Sequence, residues 1–215
     1  MTASALIVMA KSPAPGRSKT RLSPPLTFQG AARVAAGLLS ETLRAVLETT
    51  AARRVLALDG VTGDWLPDGF EVIAQRGREL GERLAHAFED VGAPALVIGM
   101  DTPQVTPLLL EDSLRVLEQP ENDAIVGPTP DGGYWTIGLK RADARVFSGV
   151  PMSSSRTLES QLERLGELGL RCASLPQLRD VDGIDDALLV AGSLPDGPFA
   201  RALEGALQEA TVAAP

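Results

Sequence analysis

The sequence predicts an α/β fold, a three-layer α/β/α sandwich around a mainly parallel, mixed sheet. Three observations carry that expectation. Short apolar runs alternate with longer segments of helical periodicity, the pattern that builds layered α/β domains. The runs are apolar on consecutive residues, as strands covered on both faces require. The helical segments between them can supply right-handed crossovers between parallel neighbours.

The elements follow in chain order. "ALIVMA" over 5–10 is a buried strand, and a helix is expected near 28–50. "RVLALD" (54–59) and "FEVIA" (70–74) are the next strands, before a helix near 79–91. "ALVIGM" (95–100) precedes a helix near 107–118. "DAIVG" (123–127) and "YWTIGL" (134–139) are short enough, and close enough, to form a hairpin;. Helices near 154–168, 184–192 and 198–209 complete the chain. With 215 residues, 44% of them hydrophobic, the chain can bury a substantial core, expected as one domain over 1–210 with a frayed tail at 211–215.

Composition excludes several classes. No apolar stretch approaches the roughly 18–20 residues of a membrane span, and the N-terminus lacks the basic-then-apolar order of a signal peptide. A cytoplasmic protein is expected. The one cysteine, Cys172, allows no internal disulfide and no cysteine-based zinc cluster, and reads as a small core residue;. A net charge of −8 argues against nucleic acid as a partner;. Nothing in the sequence fixes an oligomeric state.

Charge is unevenly distributed. The first 40 residues carry Lys11, Arg17, Lys19, Arg21 and Arg33 and no acid, leaving −13 for the rest. Two of the three lysines lie in the loop "AKSPAPGRSKTRL" that follows the first strand. It is not a P-loop: where that motif places glycines before its lysine, this chain has Pro13 and Ser18, and proline has no N–H to offer phosphate. Positive side chains on an acidic protein suit a small anionic ligand instead.

In open α/β sheets, ligands sit beyond the carboxyl ends of the strands. Asp101 follows a buried run and should project from such an end. The run "DVDGIDD" adds Asp180, Asp182, Asp185 and Asp186 and is not an EF-hand loop, because its glycine comes too early;. Asp185 and Asp186 fit a helix entry. Asp182 with Asp101 could give Mg²⁺ or Mn²⁺ two carboxylates. In "DGGYW", Gly132 and Gly133 mark either a hairpin turn or a close backbone approach. His86 falls inside a helix and needs no catalytic role.

Five segments, "AKSPAPGRSKTRL", "QRGRELGERLAHAF", "GMDTP", "GPTPDGGYWTIGL" and "DVDGIDDAL", resemble in order the bacterial nucleotide-diphospho-sugar transferases (GT-A fold) of the type assigned to arsenosugar biosynthesis. More distantly they are similar to phospholactate and molybdenum-cofactor guanylyltransferases. The resemblance spans residues 5–190. It implies that Lys11, Arg17, Lys19 and Arg21 hold nucleotide phosphates over a turn at Gly16, and that Gln75, Leu80 and Gly81 border the nucleoside. It also implies that Asp101 and Asp182 bind Mg²⁺ or Mn²⁺, and that Gly132, Gly133 and Tyr134 face the sugar or acceptor. Asp131 is the candidate catalytic base on position alone. One departure stands out: the chain reads "GVPMSS" where family members commonly carry Trp-Ser, so Met152 replaces the tryptophan.

The implied activity is metal-dependent transfer of a glycosyl group from a nucleotide sugar to a small-molecule acceptor. The alternative is a nucleotidyltransferase of guanylyl or cytidylyl type, joining an NTP to a phosphorylated small molecule with release of pyrophosphate. A nucleotide-binding protein without catalysis is the third possibility.

Overall fold

The structure is a computed structural model that describes residues 4–92 and 94–213. Seven strands form one sheet: β1 (Ala5–Lys11), β2 (Arg53–Asp59), β3 (Glu71–Ala74), β4 (Ala95–Gly99), β5 (Ala124–Pro128), β6 (Tyr134–Leu139) and β7 (Cys172–Ser174). Their spatial order is β3-β2-β1-β4-β6-β5-β7. All neighbours pair parallel except β6, which runs antiparallel between β4 and β5. The expected mixed α/β sandwich is therefore the fold observed.

The topology creates the crevice. From β1 the chain builds outward through β2 and β3, then returns to place β4 on β1's other side. Connections leaving adjacent carboxyl ends in opposite directions leave a gap above them, which is where open sheets bind ligands.

Side chains of β1 alternate between the two faces. Leu6, Val8 and Ala10 pack with α1 (Phe28–Glu48) and α3 (Pro107–Glu118). Ala5, Ile7 and Met9 pack with α2 (Leu80–Val91) and, through Leu165, α4 (Thr157–Glu167). A third cluster lies outside α1, where α5 (Ile184–Ser193) and α6 (Pro198–Ala213) bury Val190, Phe199 and Leu203 against Val34 and Leu38. α6 approaches α1 at Gly37, where a Cβ would stand 2.8 Å from the Phe199 Cα.

Several boundaries differ from expectation. Two 3₁₀ turns, Thr20–Leu22 and Ala144–Phe147, have no periodic signature of their own. α4 begins at Thr157 rather than 154, which frees 153–155 to border the crevice. α6 continues to Ala213, so residues 211–213 of the expected tail are helical, whereas 214–215 lie outside the described residues. Cys172 opens β7, and burial pushes its thiol up to about 11, as suits an inert core group;.

Candidate active site

Four segments converge above the carboxyl ends of β1, β4, β5 and β7. The loop after β1 comes first. The N–H groups of Ser12, Ala14, Arg17 and Ser18 are bonded within the protein, to Asp59 O, Ser18 Oγ and twice to Ala14 O. Ser18 Oγ also donates to Ser12 O at 2.8 Å. This loop thus turns these four backbone donors inward, unlike a P-loop, and offers side-chain cations. Gly16 makes the turn with φ 71° in open space. Lys19 is itself left-handed, at φ 49° and ψ 41°, an uncommon conformation for a residue with a Cβ.

That conformation carries Lys19 inward. Its ammonium lies 2.8 Å from Asp101 Oδ2 and 3.5 Å from Asp182 Oδ1, and donates to the Val181 carbonyl. The side chain is only 10% exposed. Burial alone would lower its pKa, but Asp101, with help from Asp182 and Asp180, outweighs that and raises it. Arg21, 75% exposed, donates to Asp182 Oδ2 at 2.9 Å.

The acidic segment is positioned by one apolar residue. After β7 the chain crosses the strand ends: Leu175 N–H bonds to Val126 O, Leu178 N–H to Pro128 O and Val181 N–H to Asp101 O. Val181 is fully buried in the α1–α5–α6 cluster. In an extended segment alternate residues face opposite ways, so burying Val181 presents Asp180 and Asp182 together to the crevice. Asp131, Asp180 and Asp182 each offer a carboxylate oxygen within 4.8 Å of the others. Desolvation, aided by Asp131 and Asp182, raises the Asp180 pKa to about 6.

Asp131 is fixed by its own turn: Oδ1 accepts from Thr129 Oγ1 and, at 2.9 Å, from Gly133 N–H. Gly132 has φ 90°, and a Cβ there would lie 2.0 Å from Ser155 O. The two glycines therefore serve a close approach: Leu158 N–H donates to Gly132 O at 2.8 Å, docking the turn onto the start of α4. A cleft of about 650 Å³ results, with Lys11, Arg21, Asp101, Asp131, Asp180 and Asp182 among its lining residues. Lys11, Arg17, Lys19 and Arg21 line an adjoining cavity of about 250 Å³.

The expectations from sequence sort accordingly. Lys11, Arg17, Lys19, Arg21, Asp101, Asp131, Asp182, Gly133 and Leu80 all border one or both cavities. Gln75 does not: its amide nitrogen donates to Ala10 O and Ala57 O, bracing the ends of β1 and β2, and its oxygen accepts from Arg83. Gly81 is turned from the cleft and packs beside Met152 and Phe147 O. Gly132 meets Ser155 rather than open space. The Tyr134 hydroxyl donates to Gln161 Oε1 at 3.2 Å, so the ring walls the cleft while its polar end is engaged behind it. The Lys19 ammonium lies between Asp101 and Asp182, the two carboxylates expected to share an ion, and Asp182 also converges with Asp131 and Asp180. Asp180, given no role from the sequence, stands in the cleft beside Asp182, two positions away in "DVD".

The donor set fits a divalent ion. Its atoms are hard carboxylate oxygens, as Mg²⁺ and Mn²⁺ prefer. The local field already holds a cation, Lys19, against Asp101 and Asp182.

Residues 42–154 match the bacterial family described as "Uncharacterized protein conserved in bacteria (DUF2064)". The chain belongs to that family. No curated protein matches the sequence. Among solved structures, a candidate nucleotide-diphospho-sugar transferase from Desulfovibrio desulfuricans G20 is 26% identical, with a TM-score of 0.83 over 99% of this chain and 96% of that one. A CMP:2-keto-3-deoxy-manno-octonic acid synthetase complexed with CTP is 15% identical, with a TM-score of 0.58 over 90% and 99% of the two chains. Glucosyl-3-phosphoglycerate synthase from Mycobacterium tuberculosis, holding Mn²⁺ and UDP, is 10% identical, with a TM-score of 0.54 over 97% and 80%. The DUF2064 chain thus has the nucleotide-diphospho-sugar transferase fold.

Proposed function

We propose that this DUF2064 protein is a metal-dependent transferase that moves a glycosyl group from a nucleotide sugar to a small-molecule acceptor. The observation that carries the reading is the placement of Lys19 and Arg21 against Asp101 and Asp182 in one crevice, beyond the carboxyl ends of β1 and β4. Phosphate-seeking cations and metal-seeking carboxylates meet where a nucleotide diphosphate and its metal would both be bound. The likeness to the Desulfovibrio protein supports the donor class, and the Mn²⁺ and UDP of the glucosyl-3-phosphoglycerate synthase are the ligand pair proposed for this cleft.

In this mechanism Lys11, Arg17, Lys19 and Arg21 bind the diphosphate and neutralise the negative charge that builds on its oxygens as the anomeric C–O bond breaks. One such preorganised donor is worth ~3–4 kcal/mol in a transition state. Asp101 and Asp182, which flank the Lys19 ammonium, would hold the divalent ion with Asp180, which converges on Asp182 while Asp131 is left for the acceptor; the ion would supply further charge neutralisation on the diphosphate. Asp131, whose Oδ2 takes no hydrogen bond among the described residues, is aimed by its Oδ1 contacts and accepts the proton of the acceptor hydroxyl;. Leu80 and the Tyr134 ring wall the cleft around donor and acceptor.

Incubation with Mn²⁺ and UDP-, GDP- or dTDP-sugars, alongside the four NTPs, tests this. Release of the nucleoside diphosphate from a sugar donor is expected. Release of pyrophosphate from an NTP would assign the cleft to nucleotidyl transfer instead.

A further inference from the structure

We propose that Lys19 is the resident countercation of the carboxylate site, so that a divalent ion is held tightly only once the Lys19 ammonium has moved onto the phosphates of a nucleotide. The inference rests on the reading of the cleft as a nucleotide and metal centre, and it adds that the two ligands enter as a coupled pair.

The ammonium has three donors and three acceptors in place: Asp101 Oδ2 at 2.8 Å, Asp182 Oδ1 at 3.5 Å and the Val181 carbonyl. With 10% of its side chain exposed, it receives little help from water. It therefore occupies oxygens that a divalent ion would need, and two cations cannot share them without strong repulsion at low effective dielectric. Either Lys19 leaves or the ion is excluded.

The exit route lies alongside. Lys19 also lines the adjoining cavity with Lys11, Arg17 and Arg21, and its four-carbon stem lets the ammonium swing without moving the backbone. A diphosphate in that cavity offers negative oxygens in exchange for Asp101 and Asp182. Each ligand alone is disfavoured. The diphosphate without the ion faces Asp101, Asp180 and Asp182, and the ion without the diphosphate faces an undisplaced ammonium. Each relieves the repulsion met by the other, and the coupling must be reciprocal.

Calorimetric titration with Mn²⁺ alone separates the possibilities, using wild type, Lys19→Met and the charge-preserving Lys19→Arg. Displacing a charged hydrogen-bonded partner opposes binding, so Lys19→Met should bind Mn²⁺ about tenfold or more tightly than wild type. Lys19→Arg should stay near wild type. If Lys19→Met fails to melt cooperatively, Lys19→Gln takes its place. Equal, measurable Mn²⁺ affinity in wild type and the neutral variant would overturn the countercation role while leaving the metal site standing. No Mn²⁺ binding by any of the proteins would overturn the metal site itself, and this proposal with it.

Discussion

The Val181 N–H donates to the Asp101 carbonyl at 2.9 Å, tying the segment after β7 to the end of β4 across 80 residues of sequence. One bond thus sets the spacing between the carboxylate at the strand end and the two carboxylates of "DVD". With Val181 buried on the far side, Asp180 and Asp182 have no direction left but the cleft.

Shortening that anchor should loosen the site as well as the fold. Val181→Ala is expected to cost about 2 kcal/mol of stability and to weaken Mn²⁺ binding. Val190→Ala, in the same cluster but lining neither cavity, should cost a similar amount and leave metal affinity unchanged. Chemical denaturation and metal titration of both variants check this; a loss of affinity in Val190→Ala would show that general stability, not positioning, is responsible.

Gly132 is expected to tolerate no side chain. Its φ is 90°, and Ser155 O lies 2.0 Å from the position a Cβ would take, so Gly132→Ala must shift the turn that holds Asp131. About 1–3 kcal/mol should be lost, with a fall in turnover beyond what the altered stability explains. Gly166→Ala, in α4 where nothing lies within 4 Å, is the unobstructed comparison, expected to melt at or slightly above wild type.

The raised Asp180 pKa has a definite sign. Because the folded-state value of about 6 exceeds the ordinary value of 3.8, the folded protein holds this proton more tightly than the unfolded chain does. Stability from this group is therefore greatest below about pH 4 and falls as pH rises through about 6. Asp131 and Asp182 oppose its ionisation and Lys19 partly offsets them. In metal-free buffer, Asp180→Asn should melt above wild type at about pH 8, with the gap narrowing below about pH 6 and closing only by about pH 4. A gap constant across that range would contradict the assignment.

Much of this was legible in the sequence, for identifiable reasons. Buried strands such as Ala5–Lys11 and Ala95–Gly99 are marked by consecutive apolar residues, and Asp101 by its place directly after one. The basic character of residues 11–21 was equally plain. What sequence could not give was the partner of each charge. Lys19 points to Asp101 because of a left-handed backbone that nothing in the local sequence announces. Gln75 faces the ends of β1 and β2 because its amide spans the carbonyls of Ala10 and Ala57, which only strand pairing brings together. Gly132 serves a close approach as well as a turn because Ser155, from a segment more than 20 residues on, lies against it, a contact no local pattern announces. Asp180 faces the same way as Asp182 because Val181 between them is buried, and that burial depends on helices distant in sequence.

Removing the strand-end carboxylate addresses catalysis. Asp101→Asn should keep the fold, since its side chain is partly exposed and its carbonyl remains for Val181, yet lower turnover by at least about 100-fold. Near-normal turnover with a native melting curve would remove Asp101 from the machinery.

The most direct test of the central claim is a crystal structure grown with Mn²⁺ and a nucleoside diphosphate, with the metal located by its anomalous scattering. The account predicts a peak among the Asp101, Asp180 and Asp182 carboxylates, with the diphosphate on Lys19 and Arg21. A peak elsewhere, or a diphosphate that touches neither cation, would contradict it.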